Sequence, residues 1–151
     1  MKWPNVIWWK GPKLAGILLE LQGEANGPAA VVIGLGVNVN MPATASGQID
    51  QAWTDLQRAS GKPVSRNELA AIIIEQLVQS VQLFEKEGIT RFASVWSQWD
   101  ALRDQPVDIA LANQTISGIA RGIDKSGALR VETDGVIKNF MAGEASLRKQ
   151  I

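Results

Sequence analysis

A chain of 151 residues, 46% apolar and 20% charged, suits one ordinary globular, soluble domain, or a partial domain with a small one attached. It contains no cysteine and no histidine, which excludes disulfides, thiolate chemistry, Ser-His-Asp relays and imidazole-bound zinc. Fifteen basic residues balance fifteen acidic ones and no apolar run approaches the roughly 18 residues of a membrane span, so neither a nucleic acid nor a membrane is expected as a partner.

The start shows no basic segment leading into an apolar stretch and cleavage site, so no secretory signal is visible and a cytoplasmic location is expected. The residue types that remain permit reactions in which Lys, Arg, backbone N–H groups and a metal ion position substrates and stabilise charge, as in phosphoryl and nucleotidyl transfer. They permit a non-catalytic chain equally well.

In chain order, Val6 to Trp9, Leu14 to Leu21 and Ala29 to Asn40 are rich in β-branched and apolar residues and read as strands. Asn26-Gly27 supplies a tight reversing turn between the second and third, giving an antiparallel hairpin. Both of its strands are almost continuously apolar, which predicts burial on both faces beneath a helix. Ser65 and Glu68 have capping-box spacing, and the apolar positions after them predict one helix from Arg66 to Glu87 with Leu69, Ile73, Leu77 and Phe84 buried. Gly88 is placed to stop it. A second amphipathic helix follows Thr90, with Phe92, Val95, Trp96, Trp99 and Leu102 as core rather than a stacking platform.

After Arg103-Asp104-Gln105-Pro106 the pattern changes to short strands at Val107 to Leu111, Thr115 to Ile123, Ala128 to Glu132 and Val136 to Met141, with turn residues at regular spacing. These predict a small all-β barrel over residues 105–151, following a first domain over 1–104. About 45 residues make a marginal core, so the barrel is expected to lean on the helices before it.

Four motifs occur in order: Lys2-Trp3-Pro4-Asn5, then Lys13-Leu14-Ala15-Gly16-Ile17-Leu18, then Gly34-Leu35-Gly36-Val37-Asn38, and finally Arg121 to Leu129 continuing to Gly143-Glu144-Ala145-Ser146-Leu147-Arg148. With these the chain resembles the C-terminal portion of the biotin-protein ligase (biotin-[acetyl-CoA-carboxylase] ligase) family. The resemblance implies an α+β fold: the later part of a mixed-sheet catalytic domain of the biotin/lipoate-ligase, class II synthetase-like type, then a small SH3-like β-barrel.

It also implies a two-step reaction with ATP, biotin and Mg²⁺, in which biotin is activated as an acyl-adenylate and passed to a lysine on the biotin carboxyl carrier domain of a carboxylase. On this analogy Lys13 and Lys2 are catalytic. Lys13, Gly16, Leu18 and Gly34 contact biotin, and Asn5, Asn38, Trp53, Glu144 and Arg148 contact the nucleotide. No protein metal ligand is assigned. Taken without the analogy, Lys13 also reads as a solvated strand end, the strand glycines as bulges, and Trp53 as a core plug.

Two departures bear on activity. Position 6 is Val where the family motif continues with Asp, and the family's glycine- and arginine-rich loop has no counterpart in these residues. The isolated chain is therefore expected to be inactive or very weak. A binding module derived from a ligase and a lipoate-transfer relative are the alternatives. Pairing of the apolar stretch Ala29 to Ile33 edge to edge is the expected route to a homodimer.

Overall fold

A computed structural model describes residues 1–23, 29–47, 49–142 and 146–149. The backbone divides into two compact units, one from Asn5 to Ala71 and one made of Met1–Pro4 with the chain from Ile72 onward. The Asn26-Gly27 turn lies outside the described residues.

The first unit holds strands β1 (Val6–Trp8), β2 (Lys13–Gly23) and β3 (Ala29–Val37), an antiparallel sheet in the order β1-β2-β3. The mixed sheet expected from the resemblance is thus antiparallel over these strands, with one parallel bridge between Lys13 and Trp53. Beyond β3 come a 3-10 turn (Ala43–Gly47) and the short helix α1 (Leu56–Ser60). Asp55 caps α1 by accepting the Arg58 N–H at 2.8 Å, and Gly61, with φ of 72°, ends it.

Burial on both faces of the hairpin is not met. Leu18, Leu19, Leu21, Val31 and Val32 are all exposed, Leu21 at 77%. Strands apolar on both faces need a layer on each side, and the described residues do not supply both.

Helix α2 (Arg66–Glu87) is continuous, as its pattern predicts. The Ser65 hydroxyl accepts the Glu68 N–H at 3.3 Å, and Gly88, with φ of 64°, donates to the Phe84 carbonyl at the other end. Its expected burial fails: Leu69, Ile73 and Leu77 are only half-buried, and Phe84 is 53% exposed. The run Leu69 to Ile74 is apolar nearly all round, and such a helix needs cover on more sides than this chain provides.

The other unit packs α3 (Thr90–Trp99) with strands β4 (Pro106–Ala110), β5 (Thr115–Ile123), β6 (Leu129–Thr133), β7 (Val136–Phe140) and β8 (Ser146–Lys149). These pair antiparallel in the order β7-β6-β5-β4-β8. Burial alternates with period 2, so Val107 and Ile109 of β4 and Leu129 and Val131 of β6 point inward, joined by Leu102, Ala120 and Leu147. Trp3 is buried and its indole N–H donates to the Gly127 carbonyl at 3.1 Å, which ties the chain start to the turn before β6. Of the two α3 tryptophans read as core, Trp96 is half-buried but Trp99 is 62% exposed. It closes the helix, and Leu102 takes the core position just beyond.

Gly118 on β5 shows why a glycine stands in this sheet. A Cβ there would lie 2.4 Å from the Glu132 carbonyl oxygen and 2.6 Å from Val131 Cγ1, so the approach of β6 leaves it no room.

Candidate functional site

Strand alternation sets which residues of the first sheet share a face. Gly16 pairs with Val6 on β1 and with Gly36 on β3, and Leu18 pairs with Gly34. These residues therefore form one patch in which three neighbouring positions carry no side chain. Pairing of β2 with β3 runs unbroken from Ala15 to Gly23, so the glycines are not bulges.

Nor does packing against this chain require them. A Cβ on Gly34 would meet the Leu18 backbone oxygen at 3.5 Å and one on Gly36 the Gly16 oxygen at 3.9 Å, both ordinary contacts. Neither has a positive φ. In contrast with Gly118, a Cβ fits at either glycine without a clash.

Lys13 edges the patch. Its backbone is pinned: its N–H donates to the Ala52 carbonyl at 2.9 Å, and its carbonyl accepts the Thr54 N–H at 2.9 Å and an Asn38 side-chain N–H at 3.4 Å. Its side chain is half-buried and folds back over Gly16, with Nζ 3.8 Å from where a Cβ on that glycine would stand. Lys13 is thus a positioned ammonium beside a bare sheet face. Val6, the residue standing where the family motif has Asp, lies in the same row, so no carboxylate from β1 meets that charge.

Asn38 and Asn5 use their amides inside the fold. The Asn38 side chain donates to the Thr54 carbonyl at 3.0 Å as well as to Lys13, and its main-chain carbonyl accepts the Leu56 N–H at 2.9 Å. It therefore joins the end of β3 to the start of α1 and holds Lys13 in place. The Asn5 side chain donates to the Ile17 carbonyl at 2.7 Å and its main-chain carbonyl accepts the Ile17 N–H at 2.9 Å, which fixes the segment before β1 against β2.

Trp53 forms the parallel bridge to Lys13, and its side chain is half-exposed. One ring face is covered by the Arg58 guanidinium, whose carbon lies 4.4 Å from the ring centroid. Arg58 also reaches the Asp55 carboxylate at 3.4 Å and the Met41 carbonyl at 3.3 Å. Asp55 is 1% exposed. Burial pushes its carboxyl up, but the N–H groups of Arg58 and Met41 and the Arg58 charge outweigh that and hold it below the ordinary carboxylate value.

Trp53 and Arg58 line a cavity of about 550 Å³ together with Ala43, Ile49, Asp50, Gln51 and Ala52. Neither Asp55 nor Arg58 stood out in the sequence. The available signal was an Asp in the cap position, three residues before an Arg and two after Trp53.

The first unit thus brings together Lys13, Gly16, Leu18, Gly34, Asn5, Asn38 and Trp53 of the residues singled out from sequence. Lys2 belongs to the other unit, where it is half-buried and interacts with neighbours. Glu144 and the side chain of Arg148 lie outside the described residues. No group of three or more acidic residues able to hold a metal occurs among the described residues. No helix among them is long and apolar enough to cross a membrane.

Comparison with known proteins gives the chain its relatives. The family model for the biotin protein ligase C terminal domain matches residues 104–148. The bifunctional ligase/repressor BirA of Escherichia coli is 44% identical over 148 residues, covering 98% of this chain and 46% of that protein. The biotin--[acetyl-CoA-carboxylase] ligase of Paracoccus denitrificans is 30% identical over 132 residues, covering 85% of this chain and 55% of that protein. The chain thus spans about half the length of the curated relatives it matches.

A solved structure of the Aquifex aeolicus biotin protein ligase in complex with biotin and ATP superposes with a TM-score of 0.83 at 25% identity, over 99% of this chain and 62% of that one. The apo structure of that ligase gives 0.82 at 24%, over 99% and 65%. The chain belongs to the biotin protein ligase family and matches its C-terminal portion.

Proposed function

We propose that the β2–β3 face of this chain is the biotin-contacting wall of a ligase that makes biotinyl-adenylate from biotin and ATP and passes biotin to a lysine of a carboxylase carrier domain. The observation that carries this reading is the bare patch at Gly16, Gly34 and Gly36, which packing does not demand, with the Lys13 ammonium at its edge. A flat bicyclic ligand can lie on such a face with Leu18 against its apolar ring, while its carboxylate meets Lys13.

In the first step a carboxylate oxygen attacks the α-phosphorus of ATP and pyrophosphate leaves. Negative charge is passed between carboxylate and phosphate, and a fixed ammonium stabilises it where it develops. In the second step a carrier lysine amine attacks the acyl carbon, AMP leaves, and the amine loses a proton. Trp53, backed by Arg58, offers its other ring face to the adenine, and the cavity beside it accommodates the nucleotide.

Asn38 acts by placing Lys13, leaving its amide oxygen for the nucleotide. Lys2, Asn5, Glu144 and Arg148 retain the roles that the resemblance implies. The described residues offer no acidic set for Mg²⁺, and Val6 removes a carboxylate from the patch, so the ion is assigned to ATP and no step is routed through a protein-bound metal. Residues 1–104 belong, in this reading, to the catalytic domain and 105–151 to an SH3-like barrel. The protein acts in the cytoplasm.

The test joins this chain to the N-terminal half of a relative such as the Escherichia coli protein and measures biotin-dependent pyrophosphate release. Lys13→Ala is expected to lower the rate by roughly 10² to 10³, the usual loss for a charge-assisted contact at a transition state, while stability changes by about 0.5 kcal/mol or less. Equal rates for parent and variant would remove Lys13 from the site. Equal losses of rate and melting temperature would make it structural. The chain by itself is expected to bind biotin weakly or not at all in titration calorimetry, because it presents one wall.

A further inference from the structure

We propose that a second cavity, at the start of α3, is a binding site for a small carboxylate with an apolar body. The cavity measures about 530 Å³, within the range of small-molecule sites. Its floor is apolar, from Ile89, Ala93 and Ile123, and Lys125 and Arg130 stand at its polar side. It is formed by the Ile123-Asp124-Lys125 turn, part of the C-terminal motif for which the biotin reading has no use.

The charge of this cavity is unbalanced toward cations. Asp124 also lines it, but both of its oxygens are engaged. One accepts the Ser126 N–H and hydroxyl at 2.8 and 2.7 Å and the Ala128 N–H at 3.1 Å, and the other accepts the Asn139 amide at 2.9 Å. Arg130 is half-buried, and among the described residues neither it nor Lys125 forms an ion pair. The Arg130 charge helps to hold the Asp124 carboxyl below its ordinary value, but no ion pair among the described residues joins the two, so the guanidinium fork is left for a carboxylate ligand.

The first turn of α3 adds to the same side. Thr90 lines the cavity, and Ile89, in the cap position, has no side-chain oxygen to offer the N–H groups of that turn.

Ligand shape follows from the neighbouring space. A smaller apolar cavity of about 170 Å³ shares Ile89 and Ile123 and is completed by Met1, Phe92, Val95 and Trp96. A head group at Arg130 and Lys125 would therefore direct a hydrocarbon or aryl body across Ile89 and Ile123. A bare inorganic anion would leave this surface wet.

The probe is 4-phenylbutyrate, with its neutral amide and acetate as controls, titrated into the full chain by calorimetry and followed by the isoleucine methyl signals of Ile89 and Ile123. Saturable binding of 4-phenylbutyrate is expected at submillimolar concentration, with shifts at both methyls. The amide and the variant Arg130→Gln are each expected to weaken it about tenfold or more, and acetate not to bind. Lys125→Gln is expected to weaken it less, since that side chain is exposed.

Equal affinity for acid and amide would overturn the proposal. So would unchanged binding to Arg130→Gln, or no binding by chain whose melting temperature shows it folded. The inference does not rest on the biotin reading, and Lys13→Ala separates the two: binding of 4-phenylbutyrate is expected to be unchanged in that variant, and its loss would assign the probe to the β2–β3 face and overturn this site.

Discussion

Single glycines separate what this fold needs from what it keeps open. At Gly118 the neighbouring strand already occupies the place of a Cβ, so Gly118→Ala forces β5 and β6 apart; a loss of about 1 to 3 kcal/mol is expected in urea unfolding. At Gly34 the same substitution meets only ordinary contacts, and the change in stability is expected to stay within about 1 kcal/mol of zero. In the protein joined to a relative's N-terminal half, however, Gly34→Ala should weaken biotin binding at least tenfold, because the added methyl stands where the ligand would lie. Tight biotin binding by that variant would show that the patch is not the biotin wall. The sequence marks Gly34 as unusual in a strand and gives no such sign at Gly118. Only the cross-strand distances say which position has no room for a Cβ and which has.

At the scale of elements, the caps are local devices with local consequences. Ser65→Ala removes the acceptor for the first turn of α2 and is expected to cost about 1 kcal/mol, read as a lower melting temperature with reduced helical ellipticity. Asp55 caps α1 and also anchors Arg58 beneath Trp53, so it joins a helix start to the candidate nucleotide cavity. Its folded-state carboxyl sits below the ordinary value of 3.8. Its contribution to stability is therefore complete above that value and is lost as pH falls through the lowered one. Asp55→Asn is expected to flatten the acid limb of a melting-temperature profile below about pH 4, leaving less difference between variant and parent at low pH than at pH 7. A constant difference across that range would mean that the carboxylate charge is not what matters there.

For the molecule as a whole, the dominant fact is apolar surface that this chain leaves uncovered. The hairpin exposes Leu18, Leu19, Leu21, Val31 and Val32, α2 exposes Ile72, Ile74, Val78 and Phe84, and β3 lies at an edge of its sheet. Such an edge, apolar and flat, is a template for pairing with another chain. Self-association is expected in sedimentation velocity, and Val31→Lys, a charge on that edge, is expected to shift the distribution toward monomer without lowering the melting temperature. An unchanged distribution would place the association elsewhere, with α2 the next surface to substitute.

The sequence by itself determined the family and most of the elements, though not α1 or β8. Period-2 alternation, Ser65 before α2, Gly88 after it and the turn residues between β4 and β7 are local instructions, each satisfied within a few residues, and the four ordered motifs carry the kinship with biotin protein ligases. Burial was beyond its reach, because amphipathic pattern states which face seeks cover but not whether this chain supplies it; hence Phe84 and Trp99 are apolar, correctly placed in helices, and exposed. The tertiary structure alone brought the candidate residues together. Cross-strand register sets Gly16 against Gly36 and Val6, folding back of Lys13 puts its ammonium over that row, and Arg58 reaches Trp53 because Asp55 turns the chain there. None of these juxtapositions follows from local propensity, since each depends on which residues the paired strands bring opposite one another.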